Sequence, residues 1–165
     1  MRKIILFVLV TFLLSACSFP SKKKEDSNDR YYSIVENIFS QNDFARVSNY
    51  FDISGELAKI DDGYRFYITI DNPRNALYDV EALAVEQGVD YTSTMAANVG
   101  IYDEKEFCLI PNQTNPNKGY VEGLVISGVT QNPETTLYVY VSFKNDDHSS
   151  TRYEYLSLDV EYQEQ

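Results

Sequence analysis

Few residues in this chain could do chemistry, and their spacing gives them little to do it with. There is one histidine and there are two cysteines, against 25 Asp and Glu residues. His148 stands in a run of Lys144-Asn145-Asp146-Asp147-His148-Ser149-Ser150. A serine–histidine–aspartate relay needs the imidazole held between nucleophile and carboxylate, and neighbours along one polar turn do not give that geometry. The stretch reads as a turn between strands. A zinc centre needs three or four His or Cys ligands and cannot be built from this inventory. Asp61-Asp62 and Asp146-Asp147 offer hard oxygen donors of the kind calcium takes, but the regular twelve-residue acidic loop is absent. Nothing among the acids singles out a glycosidase-type pair. No glycine loop for phosphate is present. The glycines of Asn98-Val99-Gly100 and of the stretch 121–129 fall at strand positions, where they mark bulges or close backbone approach. The expectation is therefore no catalytic residue, no metal and no enzyme activity.

The cysteines are more informative. The chain begins MRKIILFVLVTFLLSAC, a basic start at Arg2 and Lys3, an apolar run over Ile4–Leu14, then the small residues Ser15 and Ala16 before Cys17. That is the order of a secretory signal. The apolar run is about eleven residues, against the ~20 needed to span a bilayer core. Leu14-Ser15-Ala16-Cys17 resembles the bacterial lipobox. The resemblance covers about the first 17 residues. It implies that the signal peptide 1–16 is removed and that the Cys17 sulfur carries a diacylglycerol, the only prosthetic group expected. It places the chain at the cell membrane, on the extracytoplasmic face, with membrane lipid as its first partner. A thioether at Cys17 leaves Cys108 without a disulfide partner. In Glu106-Phe107-Cys108-Leu109-Ile110-Pro111 it reads as a small buried hydrophobe.

Charge narrows the partners further. The chain carries 14 Lys and Arg and a formal net charge of −11. Losing Arg2 and Lys3 with the signal leaves 12 basic residues against 25 acidic ones, about −13. Nucleic acid is excluded as a partner, because phosphates demand clustered Lys and Arg. One basic run, Lys22-Lys23-Lys24, lies just past the lipid site, where each charge gains about 1 kcal/mol near an anionic membrane. Residues 17–30 read as a lipidated cysteine and a polar tether. As a coil, residues 18–30 reach roughly 20 Å. Residues 31–165 suit one domain. Asn112-Gln113-Thr114 matches a glycosylation acceptor, which is idle in a bacterial lipoprotein.

The elements follow from periodicity. Ser27, Asn28 or Asp29 is placed to cap a short helix. In it Tyr31, Ile34, Val35, Ile38 and Phe39 recur at helical spacing, and Asn42 and Asp43 end it. The period then becomes two. Tyr64, Phe66, Ile68 and Ile70 share a face, as do Leu137, Val139, Val141 and Phe143, and Leu156, Leu158, Val160 and Tyr162. Weaker strands are expected over 50–60, 77–86, 98–102, 106–110 and 120–127. Asp61-Asp62-Gly63 is a hairpin turn, and Asn72-Pro73, Pro111-Asn112, Asn115-Pro116 and Asn132-Pro133 break the chain. The fold expected is mainly β: an antiparallel immunoglobulin-like β-sandwich of seven to eight strands preceded by one short N-terminal helix. The Cys-Trp-Cys core of antibody domains is missing, so this concerns architecture. The layout is similar to small Gram-positive lipoproteins with one such domain on a tether.

A hairpin of the last two strands that pairs Tyr140 with Tyr155 and Ser142 with Tyr153 places Tyr138, Tyr140, Tyr153 and Tyr155 on one outer face. Tyrosine suits contact with a protein or glycan partner. A helix packed over these rings would close that surface. The function expected is a monomeric, lipid-anchored extracytoplasmic binding or interaction module of the cell envelope. The alternative is an accessory or structural subunit of an envelope complex, and an envelope enzyme is the third class.

Overall fold

A computed structural model of the chain describes residues 26–91, 93–145 and 148–164. The signal sequence, the lipobox, Lys22–Lys24 and Asp146-Asp147 lie outside the described residues.

The N-terminal helix, α1, covers Ser27–Ser40. It starts earlier than periodicity alone suggested, because Asp26 is the cap: its carboxylate accepts from the Asn28 N–H at 2.8 Å. Residues 27–30, expected in the tether, are therefore helical. Seven strands follow: β1 Asp52–Ile60, β2 Gly63–Asp71, β3 Tyr78–Glu86, β4 Ala97–Val99, β5 Gly123–Thr130, β6 Glu134–Lys144 and β7 Thr151–Glu161. The expected strand at 106–110 is instead a looped segment with isolated bridges, Leu109 to Leu77 and Cys108 to Tyr120. Cys108, Leu109 and Ile110 are buried and Phe107 is half-buried, without joining a ladder.

The strands form two antiparallel sheets, β1-β2-β5 and β4-β3-β6-β7. The chain passes from β2 to the second sheet, returns in β5 to lie beside β2, and crosses again so that β6 pairs with β3. This Greek-key order is that of an immunoglobulin-like sandwich. The alternating residues meet between the sheets as expected. Phe66, Ile68 and Ile70 face Leu137, Val139, Val141 and Phe143, with Leu156 and Val160 from β7. The β1–β2 hairpin turns through Asp61 and Asp62, and Gly63 takes φ 103°. A Cβ there would come within 2.6 Å of the Thr130 carbonyl oxygen. Only glycine fits both demands.

The four-stranded sheet is buried on both faces. Tyr31, Ile34, Val35 and Ile38 of α1 pack with Leu83, Val85 and Tyr140 on its outer side, away from the sandwich core. This explains why β3 contains the continuous apolar run Ala82–Val85, all of it buried. At the end of β3, Glu86 is 4% exposed, and its Oε1 accepts from Thr130 Oγ1 at 2.7 Å, Asn132 Nδ2 at 2.9 Å and Thr135 Oγ1 at 2.9 Å. A buried carboxylate is tolerated when donors surround it, and this one ties β3 to the β5–β6 turn.

Candidate functional site

The register that defines the tyrosine face is present: Tyr140 is opposite Tyr155, and Ser142 opposite Tyr153. The rings also meet. Tyr140 lies 5.6 Å from Tyr155, edge-on, and 6.1 Å from Tyr153. But α1 covers the centre of the group, and Tyr140 is only 2% exposed. Burial pushes its phenol up to about 12, outweighing the Ser142 hydrogen bond and the positive Arg30, which pull it down. Tyr138 is half-buried beneath Phe44, its ring stacked at 4.2 Å. Tyr155 is half-buried, and Tyr153 alone is open to solvent. The four residues are thus neighbours, but they do not form one open docking surface. The covering helix is held by an ion pair: Arg30 grips Glu81, with Nε at 2.9 and 2.7 Å from the two carboxylate oxygens, and Ser142 Oγ 3.3 Å from Oε2. Arg30, Glu81 and the Lys144–Asp79 pair line a cleft of about 510 Å³ beside Tyr153. Its best-buried charges already satisfy one another.

Other candidates resolve simply. His148 sits at φ 53° with its ring 4.2 Å from that of Tyr78. Asp147, its sequence neighbour, lies outside the described residues. Cys108 is 5% exposed, its backbone paired with Gly119 and Val121, and burial raises its thiol above the ordinary value. It is a buried hydrophobe, as its apolar setting predicts. Among the described residues no group of three or more His, Cys, Asp or Glu is placed to hold a metal.

The accessible apolar site lies on the flank of α1. Tyr32, Val35, Glu36, Phe39 and Ser40 form one wall, and Asp90 and Tyr91 from the loop after β3 form the other, around a cavity of about 550 Å³. Tyr32 is 55% exposed and Phe39 50%, while Val35 forms the buried floor. The Tyr91 ring lies 6.5 Å from that of Phe39. Its hydroxyl accepts from the Glu86 N–H at 2.9 Å, which fixes one wall, and burial raises its phenol above the ordinary value. Residues 32, 36 and 39 recur at helical spacing about 100° round from the buried stripe. Helical spacing groups Phe39 with Tyr31, Ile34, Val35 and Ile38, but it stands half in solvent, and Tyr32 and Tyr91 have no part in that pattern. The signal was there: a helix of 14 residues with apolar side chains on more than one stripe presents more than its packing face.

The fold and this groove define an immunoglobulin-like sandwich with a helix laid on its four-stranded sheet and an aromatic channel along that helix. No protein-family model matches the chain, and no curated protein matches it.

Proposed function

We propose that the chain is a lipid-anchored extracytoplasmic binding module of the bacterial cell envelope, with the α1 flank as its contact surface. One observation carries the binding reading. Two large aromatic rings, Tyr32 and Phe39, stand half in solvent beside a third that is pinned. Large apolar side chains grouped round a concavity on a polar surface mark contact sites. The anchor rests on the Leu14–Cys17 pattern. With α1 starting at Ser27, nine residues separate it from Cys17. They extend to at most ~30 Å, which keeps the helix and its groove close to the bilayer.

The anchor is tested by fractionation and radiolabelled fatty acid. Wild type is expected in the membrane fraction, labelled, and Cys17→Ala unlabelled at the unprocessed mass. A labelled Cys17→Ala chain would remove the lipid from Cys17.

A second reading, a subunit packed against an envelope partner, draws on a different feature. β5 is an edge strand of its sheet. Its sequence, GLVISGVT, has no ionisable side chain, and it exposes Val125 and Val129. An uncharged edge is a template for pairing with another chain.

A further inference from the structure

The groove has a charge as well as a shape. Among the described residues its lining includes Glu36 and Asp90, one on each wall, and neither Lys nor Arg. Asp29, exposed on α1, lies two turns before Glu36 on the same side of the helix. The rim is therefore acidic, on a chain of net charge −11. The floor and the ring faces are apolar. We infer that this groove takes a cationic amphipathic peptide segment of another protein, its apolar anchors seated between Tyr32, Phe39 and Tyr91 and its Lys or Arg side chains against Glu36 and Asp90.

The dimensions fit such a segment. Tyr32 and Phe39 are seven residues apart, about 10 Å along the helix axis. That equals two turns of a partner helix, so anchors at i and i+7 reach both rings, the spacing of helix-in-groove recognition. A volume near 550 Å³ holds a few large side chains, within the range of ordinary ligand sites. Because Tyr91 is pinned by the Glu86 N–H, that ring loses little freedom on contact. An acidic rim disfavours the alternative occupant, an anionic bilayer surface. It also rejects acidic peptides by the same repulsion.

The inference rests on the reading of the chain as a binding module at this groove; it does not require the lipid. The test uses the full-length chain, held in zwitterionic nanodiscs where it carries lipid and free in solution where it does not. The probes are three synthetic helical peptides with leucine at i and i+7 and with Lys, Gln or Glu on the polar face. The Lys peptide is expected to bind, and to weaken about tenfold for Phe39→Ser and for Tyr32→Ser, each equivalent to losing one anchoring contact. Glu36→Gln with Asp90→Asn is expected to weaken it by a similar factor at low salt and less at high salt. Both aromatic positions are half-exposed, so circular dichroism and melting should stay as in wild type. If the Gln or Glu peptide binds as tightly as the Lys peptide, and Phe39→Ser still weakens that binding about tenfold, the module stands and its cationic preference is overturned. If no peptide binds, both fall. Quenching of Tyr32 by brominated lipid in peptide-free nanodiscs, absent in Tyr32→Phe, would give the groove to the bilayer and overturn the proposal.

Discussion

Single side chains in this protein are decided by what covers them. Tyr140 is the clearest case. Its phenol is raised from 10.0 to about 12, chiefly by burial. The folded state then holds that proton more tightly than the unfolded chain does. The associated stability is complete below pH 10 and is lost as pH rises through 12. The shift corresponds to about 2–3 kcal/mol. Urea midpoints of wild type and Tyr140→Phe, compared between pH 9 and 12, are expected to converge as the wild type loses this increment. Parallel curves would mean that the ring is open to water. Glu86 is held by three donors to one oxygen, and losing it leaves Thr130, 3% exposed, without that acceptor. Glu86→Ala is expected to cost about 2–4 kcal/mol in chemical unfolding. Glu86→Gln keeps a carbonyl oxygen for the same donors and should cost less. Equal losses would put the stabilisation in the charge.

Elements show where sequence reading worked and where it stopped. Alternation in 64–70, 137–143 and 156–162 placed the strands and their inward faces, because a half-buried strand repeats every two residues. The β6–β7 register was legible for the same reason: two patterns had to be satisfied at once. Residues 106–110 were misread because an apolar run bounded by breakers is the same pattern in a buried loop as in a strand. The covering of Tyr140 is a tertiary fact, although the unbroken Ala82–Val85 run hinted at a sheet with two buried faces. The groove was half legible: the second apolar stripe of α1 shows in the sequence, and the facing wall does not. Tyr91 is far from α1 in sequence, and only the fold brings it beside Phe39. The helix itself depends on its latch. Arg30→Ala leaves Glu81, with 15% side-chain exposure, without its cation. A cost of about 1–3 kcal/mol is expected. A helix of this length is marginal alone. Amide exchange over residues 27–40 should therefore accelerate more than over β6 and β7. Uniform acceleration would show that helix and sandwich open as one unit.

At the scale of the whole molecule, an acidic sandwich carries a helix laid across one of its sheets, and the cysteine pattern precedes that helix in sequence. The helix follows the residues that would hold the chain to the membrane, and it carries the open aromatic groove. The opposite sheet ends in the uncharged β5 edge, so the two candidate contact surfaces belong to different sheets. That separation lets one experiment distinguish them. A photo-crosslinking amino acid is placed at Phe39 or at Val125 in the full-length chain, expressed in its own membranes, and the adducts are mapped by mass spectrometry. A binding module working through α1 gives one reproducible protein adduct from position 39, joined through a basic amphipathic segment, and none from position 125. Adducts from position 125 alone would contradict that account and make the chain a subunit joined through its edge strand.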